Sequence, residues 1–379
     1  MSLLLNEEQS LLKDSAKAFV DENSNLASIR SKRSEPKNPG IDQEKWQKVV
    51  ELGWTAIPFS EEYGGLGLGY AELGVVLEEI GRGLVDVPLF SNIVLAGGVL
   101  DLAGTDEQKK RFLPDLIEGT NFISLAYQEG ARHTPNLVAT KLTEGPEGLT
   151  LNGKKQLVLD GGSANHLIVV CRSSGEKTER EGLSIVVVDT KTEGVTVKNN
   201  LLLDGSRSAN IEFHDVVISE KDLIGHQGKG ADTLDKLYAQ ASVALSAEML
   251  GGAQTAFEMT LEYLKVREQF GAKIGSFQGL KHRASRWFCE IELSKSIVLK
   301  ALRAIDIDDP KKDKIAHACK ARLSSSFHLS GIEGVQMHGG IGVTDEHDIG
   351  LYMKRARVTE LLLGDEAFHR EKFAALSGY

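Results

Sequence analysis

Apolar residues recur at helical spacing through the first third of the chain. Those of the first predicted helix are Leu11, Leu12, Ala16, Phe19 and Val20. Because they are three or four residues apart, they lie on one face of an amphipathic helix. The pattern repeats over 71–79, and 106–117 predicts a shorter helix with Thr105 as its N-cap. Residues 1–119 are therefore predicted to form a helical domain.

The pattern changes to short β-rich runs between residues 120 and 231. The runs cover 149–151, 166–170, 183–188 and 211–217. The turn dipeptides between them are Asn152-Gly153, Asp160-Gly161 and Asp204-Gly205. Short strands separated by such turns are typical of a small antiparallel barrel or sandwich. We expect residues 120–231 to form this middle β-domain.

Helical spacing returns in the last part of the chain, in longer segments. It predicts helices over 234–266, 278–305 and 311–338, with Pro310 placed to open the third. Residues 232–379 are therefore predicted to form a second helical domain. The order of elements along the chain is α, then β, then α.

Composition and charge exclude several classes of protein. The chain has 379 residues, of which 41% are hydrophobic, and its formal net charge is −10. A nucleic-acid binder or a protein of anionic membranes needs a basic face, so neither class is expected. The most apolar segment, 93–100, is far shorter than the ~20 residues of a membrane span.

The cysteines and the first residues indicate a cytoplasmic protein. Cys171, Cys289 and Cys319 are widely spaced and form no C-x-x-C pair, which fits a reducing compartment and predicts no metal site. Residues 1–15 lack a basic segment followed by a long apolar stretch, so no secretory signal is expected.

Two short segments are suited to binding a phosphorylated ligand. In Arg267-Glu268-Gln269-Phe270-Gly271 the guanidinium can grip a phosphate, and the glycine lets the chain turn closely around a ligand. The second segment, Gln336 to Gly342, has three glycines whose backbone N–H groups a phosphate or ring can approach. Taken singly, each is also explained as a helix end or an interhelical loop.

In this order, and with three further segments, the motifs identify a family. The further segments are 58–65, 78–82 and 355–358. The chain resembles the acyl-CoA dehydrogenase family over nearly its whole length. The resemblance implies an α+β fold with an N-terminal helical domain, a middle β-barrel or sandwich domain and a C-terminal four-helix bundle that forms tetramers. It also implies FAD at a subunit interface, a coenzyme A thioester stacked on the flavin, and electron-transfer flavoprotein as electron acceptor.

The resemblance also assigns cofactor-binding residues. It implies that Arg267 and Phe270 contact the pyrophosphate and adenine side of FAD, with Phe277 and Gln278 in the same region. The residues implied to contact the ADP portion, usually of a neighbouring subunit's FAD, are Gln336, Gly339 and Gly340.

Two flavin-side segments depart from the family pattern. Gln128 stands in the first and can still donate to the pyrimidine edge of the flavin. In the second, Leu159 replaces a hydroxyl residue that would contact the flavin. The backbone N–H groups of residues 158 and 159 can serve the flavin whatever their side chains are.

The residues at the positions expected for the catalytic base depart more strongly from the family pattern. Many family members place a Glu 27 residues after the Gln of the glycine-rich motif, and here that position is Leu363. Others place it 26 residues before the Arg of R-x-x-F-G, which is Ala241 here. Neither side chain accepts a proton. Asp365 is the nearest candidate base, with a helix cap or a cofactor contact as the alternative, and Glu360 is a weaker candidate.

Several functions fit these departures. The chain is interpreted as the base-lacking subunit of an α2β2 dehydrogenase, a type that acts on bulky thioesters such as steroid side chains. The alternatives are a homotetrameric dehydrogenase with Asp365 as a relocated base, a flavin monooxygenase of the same fold, and a non-enzymatic scaffold.

Overall fold

The computed structural model of the protein describes residues 4–34, 40–145 and 148–379. Residues 1–3 of the amino-terminal segment considered above lie outside the described residues. The chain divides into two compact units. The helical unit comprises Met1–Arg30, Gly69–Val85 and Ser242–Tyr379, and the sheet unit comprises Ser31–Leu68 and Asp86–Ala241. The domain boundaries at 119/120 and 231/232 stay predictions.

Helices occupy the early and late parts of the chain, as the periodicity predicts. They are α1 (Glu7–Asn23), α2 (Leu26–Ser34), α3 (Gln43–Glu51), α4 (Tyr70–Gly83), α5 (Gly98–Ala103), α6 (Asp106–Ile117), α7 (Ala231–Val266), α8 (Gln278–Asp306), α9 (Lys312–His338), α10 (Ile349–Leu361) and α11 (Glu366–Ala375). Thr105 is the N-cap of α6, because its hydroxyl accepts a hydrogen bond from the Gln108 N–H. Helix α9 begins two residues after Pro310, which lies in the preceding turn.

The most apolar stretch of the sequence lies in the core. Leu89–Gly97 is a π-helical segment buried along its whole length, and it continues into α5. Among the described residues, no helix combines the length and the apolar character that a membrane crossing requires.

One large sheet forms the middle of the chain. Its strands are β1 (Ile123–Ala126), β2 (Lys141–Gly145), β3 (Gly148–Leu159), β4 (His166–Arg172), β5 (Leu183–Asp189), β6 (Val195–Leu201), β7 (Arg207–Ile218) and β8 (Leu223–Ile224). The order across the sheet is β6-β7-β3-β2-β4-β5-β8, and β1 pairs with β4. The core of the sheet unit includes Ala126, Leu151, Leu167, Val186 and Ile211.

Two ladders of this sheet differ from the antiparallel arrangement expected from the sequence. β1 and β2 both pair with β4 in parallel, whereas the other ladders of the sheet are antiparallel. The β2–β3 hairpin separates β1 from β4 in the chain. β1 therefore reaches β4 by a longer connection, which permits the parallel direction. Hydrophobic alternation fixes which face of a strand is buried and carries no information on its direction.

The helical unit is held together by close helix contacts. Helices α8, α10 and α11 each pack on α9, and the Trp287 indole N–H donates to the Ser330 hydroxyl at 2.8 Å across the α8–α9 contact. α4 and α7 cross at two glycines. A methyl group on Gly81 would lie 2.0 Å from the Glu248 carbonyl oxygen, and one on Gly251 would lie 1.8 Å from that of Glu78. Only glycine permits this approach at both positions.

Candidate functional site

A short hairpin after α7 carries the first predicted motif. β9 (Glu268–Gln269) and β10 (Ala272–Lys273) are antiparallel and joined by Phe270 and Gly271. Both turn residues have positive φ, 56° and 75°, as a type I′ turn requires. Phenylalanine rarely adopts this conformation, and here its side chain is 90% exposed. The hairpin therefore presents an aromatic ring outward at the cost of backbone strain.

The glycine-rich segment begins where α9 ends. Gly339 has a φ of 65°, and no heavy atom lies within 4 Å of the place where a methyl group on Gly339 or Gly340 would project. A methyl group on Gly342 would instead lie 2.6 Å from the Val335 carbonyl oxygen. The first two glycines thus border open space, whereas the third is needed for packing.

These two segments line one pocket of about 560 Å³ in the helical unit. Six of the residues assigned to the cofactor line it: Arg267, Phe270, Phe277, Gln336, Gly339 and Gly340. Gln278 begins α8 beside Phe277 and is not a lining residue, and Gln128 and Leu159 belong to the sheet unit. The structure brings the six together, and their contact with FAD stays a prediction.

The electrostatics of the pocket favour an anion near Arg267. Arg283 also lines the pocket, and its guanidinium is neutralised by Glu333 at 2.7 Å. Within the described part of the chain, Arg267 has no carboxylate partner. Its charge is therefore available to a ligand that carries phosphate.

One wall of the pocket is aromatic, and its residues gave no recognisable signal in the sequence. The His338 ring lies between Tyr263 and His347, with ring centroids 4.5 and 4.3 Å away. Its Nδ1 is 2.7 Å from the Gly334 carbonyl oxygen and therefore carries the proton, which makes Nε2 an acceptor in the neutral ring. Burial lowers the pKa of His338, and His347 lowers it further. Nε2 is buried and has no hydrogen-bond partner among the described residues.

In the sheet unit, the segment that contains Gln128 is joined to β3 just before the segment that contains Leu159. The Gln156 N–H donates to the Gln128 carbonyl oxygen at 2.8 Å, and the Lys155 ammonium lies 2.6 Å from a Glu129 carboxylate oxygen. The side-chain amide of Gln128 donates to the Gly130 carbonyl oxygen at 2.8 Å. Leu159 is the last residue of β3 and pairs with Ser208.

The turn after Leu159 is held by charged side chains. Asp160 has a φ of 52°, and its carboxylate accepts hydrogen bonds from the Arg207 guanidinium at 2.8 Å and from the Ser91 hydroxyl at 2.5 Å. Asp86 also pairs with Arg207. Burial lowers the pKa of Arg207, but the two aspartates outweigh it and raise the pKa above its usual value.

The expected base position holds a buried leucine. The Leu363 side chain is 1% exposed, and its backbone has a φ of 60° in the turn between α10 and α11. The other expected position, Ala241, is fully buried in α7. The structure therefore places an apolar side chain at both sites where the family pattern puts a carboxylate.

The nearby carboxylates have structural partners. Asp365 is the N-cap of α11 and accepts the Phe368 N–H at 2.9 Å, which is the helix-cap alternative considered for it. Glu360 pairs with Arg357 at 2.8 Å. A base role for Asp365 stays a prediction.

A third carboxylate escaped the sequence analysis. Glu248 lies in α7, is 6% exposed and accepts a hydrogen bond from Arg355 Nε at 2.9 Å. The 355–358 segment includes Arg355, but the sequence does not indicate that Glu248 is its partner, because the two residues are far apart in the chain.

Comparisons with known proteins agree with the family resemblance and with the fold. Models of the N-terminal, middle and C-terminal domains of acyl-CoA dehydrogenase match residues 6–120, 128–216 and 228–376. The probable acyl-CoA dehydrogenase YngJ of Bacillus subtilis is 28% identical, with 98% of each chain covered. The structure of butyryl-CoA dehydrogenase from Megasphaera elsdenii superposes with a TM-score of 0.91 at 24% identity over 100% of each chain. The ChsE4–ChsE5 complex from Mycobacterium tuberculosis gives 0.87 at 22% identity, covering 99% of this chain and 98% of the other.

Proposed function

The chain belongs to the acyl-CoA dehydrogenase family, and on this premise we propose that it is the base-lacking subunit of an FAD-dependent acyl-CoA dehydrogenase. Its partner in an α2β2 tetramer supplies the catalytic base. The observation that carries this proposal is the buried Leu363 at the base position of a chain whose pocket brings together six of the residues assigned to the cofactor. The chain would then contribute one half of each shared site.

The residues of the pocket fit the ADP half of FAD. Arg267 offers a guanidinium without a carboxylate partner among the described residues, which suits the pyrophosphate. Gly339 and Gly340 leave open space in which a ligand can approach the backbone without meeting a side chain. His338 lines the same pocket, and its Nε2 is a buried acceptor without a partner among the described residues.

The dehydrogenation itself needs a proton acceptor and a hydride acceptor. FAD, when bound, supplies the hydride acceptor for removal of the β-hydrogen of the thioester. The α-proton needs a carboxylate or a similar group at the reaction site. In this chain Leu363 cannot take it, Asp365 caps α11, and Glu360 is paired with an arginine.

The remaining partners follow from the family assignment. We propose electron-transfer flavoprotein as the electron acceptor and an acyl-CoA of bulky acyl group as the substrate. In the ChsE4–ChsE5 complex a chain of this fold is found together with a different protein, which supports the proposal by analogy of fold alone. A cytoplasmic location fits the three free thiols at Cys171, Cys289 and Cys319.

The test compares the chain alone with the chain co-expressed with the products of adjacent genes. Flavin content and acyl-CoA-dependent dye reduction are measured on both preparations. We expect turnover only in a preparation that contains a second, related chain. Turnover by the chain alone that is abolished in Asp365→Asn would establish the homotetrameric alternative instead.

A further inference from the structure

A lysine is completely buried beneath the turn that replaces the usual base. Lys320 lies in α9 and has no exposed surface. Its Nζ is 3.1 Å from the Glu360 carbonyl oxygen, 3.1 Å from that of Gly364 and 3.3 Å from the Ser324 hydroxyl. Two N–H groups of the amine can donate to the two carbonyls, and the Ser324 hydroxyl is the third partner of the nitrogen whether the amine is charged or neutral. Two of the acceptors flank the turn, one on each side of Leu363.

The turn itself is strained. Leu363 has a φ of 60° in the left-handed region, and Gly364 follows with a φ of 107°. A leucine stays in this conformation only where its surroundings impose it. His369 contributes, because its Nε2 lies 3.0 Å from the Leu363 carbonyl oxygen. Lys320 joins the last turn of α10 to the start of α11 and so fixes both ends of the strained segment.

Filling space does not explain the lysine. A methionine of similar length would occupy the same volume without the desolvation cost of a buried amine. Among the described residues, its amine meets the backbone carbonyls of Glu360 and Gly364 and one hydroxyl of its own helix. We therefore infer that the hydrogen bonds of Lys320 fix the geometry of the turn.

We propose that Lys320 is a positioning residue that holds turn 361–365 in the conformation in which it borders the thioester site. It acts through the backbone of the turn and does not touch the substrate. The inference rests on the proposed function, because that function makes this turn a wall of the reaction site.

Amide hydrogen exchange tests the proposal without enzymatic activity. Lys320→Met is compared with Lys314→Met, a matched control on the same helix whose ammonium lies over the Phe373 ring, 5.0 Å from its centroid. We expect amides of 361–366 to exchange about tenfold faster in Lys320→Met, while those of 336–342 change less than about twofold. Unchanged exchange at 361–366, or equal acceleration in both segments, would overturn the proposal. If Lys320→Met does not fold, Lys320→Gln replaces it, because a shorter amide cannot reach both carbonyls.

A kinetic measurement on the assembled complex separates this inference from the proposed function. With an active complex, Lys320→Met should lower kcat about tenfold and leave KM within about twofold, because a displaced turn changes how the thioester lies against the partner's base more than how tightly it binds. An equal loss in Lys314→Met would contradict a positioning role. If the wild-type complex has no thioester turnover, the proposed function fails, and hydrogen exchange alone still decides whether Lys320 holds the turn.

Discussion

The Lys155 ammonium lies 2.6 Å from Glu129 Oε1, and the lysine side chain has no exposed surface. Glu129 also accepts backbone N–H groups of Ala139 at 2.7 Å and Thr140 at 3.0 Å. Burial raises the pKa of Glu129, but Lys155 and these hydrogen bonds outweigh it and lower the pKa overall. This pair joins the segment that contains Gln128 to β3, two residues before the segment that contains Leu159.

Breaking that pair should destabilise the protein strongly. Lys155→Met leaves the partly buried Glu129 carboxylate without its cation, and we expect a loss of up to about 3–5 kcal/mol in the free energy of unfolding. Lys154→Met is the control, because Lys154 pairs with Glu212 in the exposed part of the same strand. It should cost under about 1 kcal/mol. Urea denaturation of both variants measures the difference. Similar losses in the two variants would contradict a stabilising role for the Lys155–Glu129 pair.

Substitutions in the exposed turn at Phe270 should affect the stability of the protein and its affinity for FAD differently. Phe270→Gly removes the strain of a left-handed phenylalanine, so the free energy of unfolding should rise by up to about 1 kcal/mol. Loss of the ring should weaken FAD binding. Gly271→Ala adds strain at a φ of 75° and should lower stability by about 1 kcal/mol. Thermal denaturation and flavin titration test both, and a Phe270→Gly variant with unchanged FAD affinity would contradict a cofactor role.

The two kinds of glycine in the 339–342 segment should respond differently to alanine. Gly340→Ala adds a methyl group in open space, so the fold should be kept while nucleotide affinity falls. Gly342→Ala meets the Val335 carbonyl oxygen at 2.6 Å and should destabilise the protein by about 1–3 kcal/mol. Melting temperature and the Kd for ADP distinguish the two. A stable Gly342→Ala variant with weakened ADP binding would reverse the assignment.

Lys320 gives a stability that depends on pH. Burial lowers its pKa to about 7, whereas a lysine in the unfolded chain titrates near about 10.4. Between these values the unfolded state binds a proton that the folded state lacks, so stability increases with pH. The wild type should therefore gain free energy of unfolding relative to Lys320→Met from pH 7 to pH 10. Parallel pH curves for the two proteins would show that the lysine does not titrate in this range.

Much of the fold is visible in the sequence because it depends on local patterns. The periodicity of residues 234–266 predicts α7, and Thr105 before an acidic first turn predicts the start of α6. Strand direction is not local, so the parallel pairing of β1 with β4 was not predicted.

The candidate site was predictable only in part. Arg267 and the glycines of 339–342 belong to recognisable segments, and the pocket contains them. Lys155 and Lys320 gave no signal, because lysine is normally exposed and burial is decided by distant contacts. Alternation in β3 does indicate that neighbouring Lys154 and Lys155 face opposite sides, although not which side is buried.

A carboxylate placed at the base position should give the chain a proton acceptor. In Leu363→Glu the carboxylate would stand where the family pattern puts it, on a turn already fixed by Lys320 and His369. We expect acyl-CoA-dependent flavin reduction to appear in this variant and to be absent from Leu363→Gln, which has the same shape without a basic group. Equal rates in the two variants would show that the introduced carboxylate is not the proton acceptor.

The most direct test of the central claim is acyl-CoA-dependent reduction of flavin by the purified wild-type chain. The chain is supplied with excess FAD and a panel of acyl-CoA thioesters under anaerobic conditions, and the visible flavin absorbance is followed. Because Leu363 occupies the base position, we predict no bleaching without a partner chain. Stoichiometric FAD together with rapid bleaching by the chain alone would contradict the account.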